Sequence, residues 1–445
     1  MRRFFFKLAA GMVFAALLGR PAAVLGQAEK KSLDRAEDFI LFTGDAAPSL
    51  AGSEIGSLSL YACRAGELKP VPFQADKRDT EGRYVFPDEK SRDPKRDGSK
   101  LDGNDELVFM AKDAGDRCPH APRPAGAAQG VEIELSDPQS GGRGWAYLFA
   151  RPGARPVKTE DYTRYWIERD EEFIATDTYQ IGQKLGVTSY DFLRLRRPAG
   201  DWSPDLLDRT KVGIRFRLLN GSIPVHVPEG EMKSVVLGVI DGPVRVIRDE
   251  LDLVKIKALG LDWSPEDFYT YYPNGHVSPM AADIPITLHK IFADISFYWA
   301  YDFNAEILGA TFKNPSNPGG LLLDGKTSAK PNLKGDNPHF QVAGPMGGAV
   351  DVLRFDERLH SLLVRATLLR EDLDQADPPE DHPGQLLTGY WVRPLNLMPK
   401  GTYRWWLYHY YPYPFSERKV REVLDMIEQP LQLEFHPLPP PAMLE

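Results

Sequence analysis

The chain has 445 residues and a formal net charge of −9 at pH 7. This length exceeds the size at which a single hydrophobic core stops growing, so two or three domains are expected. The acidic balance comes without a compensating basic run, which argues against nucleic acid and anionic lipid as partners.

The first 28 residues have the composition of an export signal. Arg2, Arg3 and Lys7 precede an uncharged apolar run at 8–18, which is shorter than the roughly 20 residues that span a bilayer. Paired arginines followed by phenylalanines and a lysine are similar to the twin-arginine type of signal, which carries folded proteins. A signal for unfolded export is the alternative. Cleavage is predicted near Ala28, and the predicted location is the periplasm or the extracellular space.

The sequence contains two cysteines, Cys63 and Cys118. In an oxidising compartment an isolated pair usually forms one disulfide. Such a bridge would remove roughly 4 kcal/mol of unfolded-state entropy in the simple chain model. A Cys63–Cys118 bond is therefore predicted, with two unrelated thiols as the alternative.

Residues 29–155 are predicted to form a first domain of short strands. In the segment "GVEIELSD" at 130–137, Val131, Ile133 and Leu135 alternate with polar residues, which is typical of a strand with one wet face. Six or seven such segments with turns between them favour an immunoglobulin-like sandwich. The proline-rich, polar stretch at 150–161 marks the expected domain boundary.

Residues 156–445 are predicted to form a larger antiparallel β-sandwich. The segment "TKVGIRFRLLNG" at 210–221 places Val212, Ile214 and Phe216 on one face and arginines on the other. Helical periodicity is scarce, and its clearest example is 416–429, where Ser416 would cap a helix with one apolar stripe. The predicted fold is therefore mainly β, with few helices.

Four segments carry a resemblance to known proteins. They are "PVPFQADKRDTEGRYVF", "LDGNDELVFMAKDAGDR", "DGPVRVIRDELDL" and "VAGPMGGAVDVL". Together they resemble a set of exported bacterial β-proteins that have no assigned activity. The third segment is also similar to strands of sugar-handling super-sandwiches of the galactose-mutarotase-like type. The resemblances imply an exported β-sandwich, and neither supplies a catalytic residue.

The densest acidic segment runs from 76 to 116. Calcium prefers carboxylate and carbonyl oxygens, which glycine-containing Asp and Asn loops provide. A calcium site here would use Asp76, Asp79, Asp102, Asn104, Asp105 and Glu106. The alternative is that these residues form turns and cap strand ends. No other cofactor is indicated, because the sequence contains no HExxH, CxxC, Walker or GxGxxG motif.

Aromatic residues are dense in three segments, at 266–276, 294–304 and 403–415. Exposed Tyr and Trp side chains stack on sugars and anchor protein interfaces. The predicted binding residues are Tyr271, Tyr272, His276, Trp299, Trp405, Trp406, Tyr408 and Tyr410. The alternative is sandwich core, because alternating aromatic side chains also pack well between sheets.

These observations favour an exported binding or accessory protein that engages a protein partner or a glycan through its aromatic segments. A second hypothesis is a carbohydrate-active enzyme, in which His276, Asp302 and His339 would supply acid–base groups. A third is an accessory subunit of an exported redox complex, carried across the membrane with its partner.

Overall fold

The computed structural model describes residues 28–87, 99–155, 157–218, 221–256, 261–263, 266–284, 288, 292–326 and 335–439. Across these residues the fold is 51% strand and 10% helix, with multiple antiparallel sheets, which confirms the predicted mainly-β class. Apart from Ala28, the predicted export signal lies outside the described residues. No helix in the described ranges is long and apolar enough to cross a membrane.

The strands and helices of the described residues are numbered in chain order. The first strands are β1 (Phe39–Thr43), β2 (Leu58–Arg64), β3 (Glu67–Pro70), β4 (Gln74–Asp76), β5 (Glu106–Met110), β6 (Gln129–Ser136), β7 (Arg143–Ala150), β8 (Arg164–Glu168), β9 (Glu171–Ala175), β10 (Tyr179–Lys184), β11 (Phe192–Leu195), β12 (Leu207–Leu218) and β13 (Ile223–Pro228). They are followed by β14 (Met232–Asp241), β15 (Val246–Ile256), β16 (Leu261–Trp263), β17 (Glu266–Tyr272), β18 (Gly275–Ile284), β19 (Ala293–Phe303), β20 (Thr311–Asn314), β21 (Asn317–Leu322), β22 (His339–Gly344), β23 (Gly347–Phe355), β24 (Val364–Asp372), β25 (Gln385–Arg393), β26 (Gly401–Tyr410) and β27 (Gln432–Pro437). The α-helices are α1 (Glu357–His360) and α2 (Glu417–Glu428).

The chain divides into two compact units. Unit 1 comprises Met1–Tyr162, Gly242–Val244 and Arg421–Glu445, and unit 2 comprises Thr163–Asp241 and Arg245–Val420. The boundary expected within 150–161 therefore lies close to the end of the first segment of unit 1. The C-terminal segment Arg421–Glu445, which was expected in the larger domain, belongs to unit 1.

In the part of unit 1 that the structure describes, two antiparallel sheets share a hydrophobic core. Their strand orders are β1-β5-β4 and β27-β6-β7-β2-β3. Ile133 and Leu148 from the larger sheet share the core with Phe109 from the smaller one. This is a two-sheet sandwich, as predicted, but its larger sheet is completed by β27 from the end of the chain.

The predicted disulfide is confirmed. Cys63 of β2 is bonded to Cys118, with the two Cα atoms 6.1 Å apart. Both residues belong to unit 1, and Cys63 is 1% exposed. The bond therefore joins the larger sheet to a segment that follows β5.

Unit 2 is built from three antiparallel sheets within the described residues. A four-stranded sheet has the order β11-β10-β9-β8, and a five-stranded sheet has the order β13-β12-β19-β25-β24. The largest sheet has the order β14-β15-β17-β18-β26-β23-β22-β20-β21, with β16 paired to β15. Ile181, Tyr301 and Leu407, one from each sheet, belong to a single core. The larger sandwich that was expected is therefore present.

Helix α2 occupies the segment that the sequence predicted to be helical. Its residues Val420, Val423 and Ile427 are buried, which matches the predicted apolar stripe. The hydroxyl of Ser416 accepts a 3.3 Å hydrogen bond from the backbone amide of Lys419 at the start of the helix.

Candidate functional site

A cavity of about 360 Å³ lies in unit 2. Side chains from the five-stranded and the largest sheet form its walls, because alternate residues of each strand point the same way. Val212, Ile214 and Phe216 of β12, which the sequence placed on one face, lie on this wall together. The apolar lining also includes Phe297, Trp299, Val392, Val254, Met280, Leu353, Phe355, Trp405 and Leu407.

Part of the cavity wall is acidic. Glu250 and Asp252 project from β15, and Asp267 projects from the neighbouring strand β17. In the antiparallel register Glu250 lies opposite Asp267, and Arg248 lies opposite Tyr269. These side chains share one face of the sheet because they are two residues apart on each strand. The cavity thus combines an apolar body with a cluster of carboxyl groups.

Arg248 forms the main ion pairs beside this cluster. Its Nη2 and Nε atoms lie 2.6 and 3.1 Å from the two carboxylate oxygens of Glu172, and its Nη1 atom contacts Glu250. Tyr165 and Gln183 also donate hydrogen bonds to Glu172. Burial alone would lower the pKa of Arg248, but Glu250 and Glu172 raise it well above its ordinary value. Arg248 is therefore a permanent positive charge in the interior.

Asp252 holds a proton at neutral pH. Burial raises the pKa of its carboxyl group to about 9, and the negative charges of Glu250 and Asp267 contribute to the same shift. A hydrogen bond between Asp252 and Glu250 also favours the protonated form. The proton of Asp252 therefore lies beside the carboxyl group of Glu250.

A second polar network touches the cavity at His409. The Nδ1 atom of His409 lies 2.5 Å from Oδ1 of Asp351, and the hydroxyl group of Tyr301 lies within 3.2 Å of both atoms. Burial raises the pKa of Asp351 well above its usual range and lowers that of His409 to about 3. The pair is therefore neutral and shares one proton, so it can offer hydrogen bonds to the cavity but little charge.

The three residues proposed for acid–base chemistry lie in different surroundings. The ring of His276 stacks on that of His409 with centroids 4.4 Å apart, and burial lowers the pKa of His276 well below its ordinary value. Asp302 accepts a 2.9 Å hydrogen bond from the backbone amide of Leu386. His339 begins β22, opposite Val352. These contacts do not join His276, Asp302 and His339 to one another.

The predicted aromatic binding residues are mostly interior. Tyr271 and Tyr410 are 0% exposed, Tyr272 is 3% exposed and His276 is 1% exposed. Trp406 and Tyr408 are of intermediate exposure. Trp299 and Trp405 line the cavity. The geometry thus favours a role in the sandwich core for most of these residues. Trp299 and Trp405 instead contribute to the wall of the cavity.

The residues predicted to hold calcium contact other protein groups. The Nζ atom of Lys77 lies 2.7 Å from Asp102 and 3.0 Å from Asp105. The remaining contacts are Arg78 with Glu106, Arg83 with Asp79, Gln74 with Asp76 and Asn104 with the carbonyl of Asp79. Among the described residues, no group of three or more His, Cys, Asp or Glu side chains is arranged to hold a metal ion. Calcium remains an untested prediction, and the contacts favour structural roles.

Sequence reasoning missed the acidic wall of the cavity. Arg248, Glu250 and Asp252 occupy alternate positions of the strand segment, with Asp249 and Leu251 between them, but a polar face normally points to water. The sequence did contain one signal for this wall. Glu250, Asp252 and Asp267 are acidic residues on segments that are close in sequence. Only the position of the facing sheet shows that this polar face is internal.

The fold and the cavity together define a mainly-β protein of stacked antiparallel sheets. No protein-family model and no curated protein matches the sequence. Among solved structures, the chain is similar to an alpha-mannosidase from Enterococcus faecalis V583, with 10% sequence identity and a TM-score of 0.39. The similarity covers 93% of this chain and 47% of the other, so the chain spans about half the length of that protein. A likeness at this level carries no functional argument.

Proposed function

We propose that this protein binds a largely apolar small molecule inside unit 2. The observation that supports the proposal is the cavity of about 360 Å³, whose walls are mostly apolar side chains from facing sheets. Binding sites for small molecules are typically concave and apolar, with a few polar groups that fix orientation. A ligand that binds this cavity in the folded chain would stabilise the fold.

The chemistry of the walls favours an apolar ligand over a sugar. A buried sugar would need partners for hydroxyl groups on several sides, because buried polar groups without hydrogen bonds are costly. The acidic side chains of the cavity are instead concentrated on β15 and β17. The proposal keeps the binding interpretation of the sequence, but a cavity takes the place of an exposed aromatic surface.

The proposed setting is the periplasm or the cell exterior. The Cys63–Cys118 bond supports it, because disulfides persist in oxidising compartments. Delivery of the ligand to a protein partner or a co-exported subunit remains part of the proposal. Detection of the mature chain in a periplasmic or extracellular fraction would support this setting, and a cytosolic chain with its first 28 residues intact would contradict it.

The binding test uses the full chain and N-phenyl-1-naphthylamine, an uncharged dye that fluoresces in apolar surroundings. We expect saturable fluorescence and displacement of the dye by decanol. Val212→Phe places a ring on the cavity wall. This variant should weaken dye binding by about tenfold or more, because the added atoms occupy the ligand's space.

Val235→Phe is the matched control, because Val235 lies on β14 and is 45% exposed. It should bind the dye as the unsubstituted chain does. A melting temperature for each variant separates a loss of binding from a loss of folding. Absence of saturable binding, or equal weakening in a folded Val212→Phe and in Val235→Phe, would contradict the proposal.

Acid–base catalysis in the same cavity is the second candidate function. It is favoured by Asp252, because burial raises the pKa of this carboxyl group to about 9 and a protonated carboxyl group in a cavity can donate a proton to a bound substrate. Turnover of a panel of nitrophenyl glycosides and esters that is lost in Asp252→Asn would support it. If no compound of the panel reacts faster with the protein than in buffer alone, the hypothesis of catalysis is wrong.

A further inference from the structure

We propose that the ligand is a cationic amphiphile, with an ammonium head group held by Glu250, Asp252 and Asp267 and an apolar body in the rest of the cavity. The inference rests on the proposed function and adds the chemical class of the ligand. It is carried by the placement of these carboxyl groups on the wall of an otherwise mostly apolar cavity.

The carboxyl groups are arranged in a way that opposes folding. Glu250 lies directly opposite Asp267 in the β15–β17 register, and like charges in this relation destabilise a sheet. Asp252 lies on the same face of β15, two residues further along. Arrangements that cost stability are expected at functional sites, where a ligand compensates them.

Arg248 is shared between two acidic side chains beside the cavity. It carries one positive charge and contacts two carboxylates, Glu172 and Glu250. Asp252 and Asp267 add further acidic groups to the same part of the cavity. A positively charged ligand would be attracted by these acidic groups, whereas an anionic ligand would be repelled by them.

The carboxyl group of Glu250 is only partly satisfied, because Arg248 contacts one of its two oxygens. Glu250 is 3% exposed, and its Oε1 atom has no hydrogen-bond partner in the heavy-atom geometry of the described residues. The same is true of Oδ1 of Asp252. The proton on Asp252 supplies the hydrogen bond between the two carboxyl groups. An ammonium group could take over that role with up to three donors and a full charge.

Aromatic side chains complete the surroundings of a cation. Tyr269 lies opposite Arg248 and lines the cavity together with Tyr190, Trp299 and Trp405. Aromatic rings attract ammonium groups through their π-systems, most strongly where water is excluded. The same side chains offer apolar surface to an alkyl chain, so both parts of an amphiphilic cation find suitable contacts.

The test compares decylamine, decanol and decanoate, which share one chain length and differ in the charge of the head group. Each is titrated calorimetrically into the full-length protein at about pH 7.5, where the amine is charged and the carboxylate ionised. We expect decylamine to bind about tenfold or more tightly than decanol, because its head group forms charge-assisted hydrogen bonds. Decanoate should bind most weakly.

The outcomes distinguish this inference from the proposed function. If decylamine binds no more tightly than decanol, the cationic ligand is wrong and the apolar cavity still binds its ligand. If decanoate binds most tightly, the charge preference of the site is the opposite of the one proposed. If neither the three ligands nor the uncharged dye bind, the proposed function fails, and this inference fails with it.

A second readout is the proton on Asp252. The charged groups that act on Asp252 are Glu250 and Arg248 on β15 and Asp267 on β17. A bound cation lowers the pKa of Asp252, so binding should release up to about one proton per ligand at about pH 7.5. Decyltrimethylammonium is the probe, because its charge does not change with pH. A binding enthalpy that is independent of the buffer's ionisation enthalpy would overturn the assignment of Asp252.

Asp252→Asn and Asp374→Asn form the matched pair of variants. Asp252→Asn keeps the size of the side chain and removes the carboxyl group that can ionise, so proton release should disappear and decylamine affinity should fall about tenfold. Asp374 is exposed after β24, and its variant should behave as the unsubstituted chain. Equal decylamine affinities in the two folded variants would contradict the proposed head-group site.

Discussion

Buried acidic residues that hold protons distinguish the interior of unit 2. Burial raises the pKa of Asp252 to about 9 and that of Asp302 to about 7, and it raises that of Asp351 well above its usual range. Each group gives up hydration in the folded state and therefore favours its neutral form. The consequence is a protein whose stability depends on the protonation of its interior carboxyl groups.

Asp252→Asn should stabilise the protein more at pH 8 than at pH 4. The Asp252 carboxyl group ionises at about pH 4 in the unfolded chain but at about 9 in the folded state. Between these values the folded state binds more protons, so the stability of the unsubstituted chain falls as pH rises through this window. Asn does not titrate and removes that loss, which is on the order of a few kcal/mol.

The measurement is urea unfolding of Asp252→Asn at both pH values, with Asp374→Asn as the control. The control should leave the pH dependence unchanged, because Asp374 is exposed. A stabilisation by Asp252→Asn that is equal at pH 4 and pH 8 would show that Asp252 does not hold its proton through this range.

At the scale of single elements, the local sequence pattern was sufficient to predict a strand where one face is apolar and the other polar. The alternation of Val212, Ile214 and Phe216 predicted β12, and all three residues lie on the cavity wall. The same reasoning could not place the acidic face of β15. Pattern shows which residues share a face, whereas the packing of distant strands decides which face is buried.

The aromatic segments were ambiguous for the same reason. Tyr408 and Tyr410 lie on one face of β26, and His409 lies on the other. Both faces are largely covered, since Tyr410 is 0% and His409 is 1% exposed. Aromatic residues on both faces of a strand indicate either burial on both sides or an exposed binding surface, and a sequence without the neighbouring sheet cannot distinguish them.

Strand β27 leads to a prediction for unit 1. Phe435 of β27 pairs with Ile133 of β6, and its ring lies 5.0 Å from that of Phe42. Phe435→Ala should therefore lower the free energy of unfolding by about 2–3 kcal/mol, because a partly buried ring is removed from the core. Glu434→Ala, which changes the exposed residue next to it, should shift stability by about 0.5 kcal/mol or less.

Thermal unfolding of the two variants is the measurement. Equal effects of Phe435→Ala and Glu434→Ala would mean that β27 adds no packing to the core of unit 1. No local pattern predicts this pairing, because β27 and β6 are separated by the whole of unit 2 in sequence. The sequence therefore predicted a sandwich correctly but not the strand that completes it.

At the scale of the whole molecule, the covalent crosslink and the cavity belong to different units. The Cys63–Cys118 bond lies in unit 1, and the residues that line the cavity lie in unit 2. A disulfide stabilises mainly the segment whose unfolded state it constrains. Stability and ligand binding should therefore respond differently to loss of this bond.

The double variant Cys63→Ala/Cys118→Ala should lose about 2–4 kcal/mol of stability and retain binding of the uncharged dye. Calorimetric unfolding measures the first quantity, and a dye titration well below the unfolding temperature measures the second. Treatment of the unsubstituted chain with a thiol reductant should reproduce both results, because it removes the same bond without changing a side chain. A parallel loss of dye binding in the still-folded variant would show that the cavity depends on the crosslink in unit 1, contrary to the division into two units.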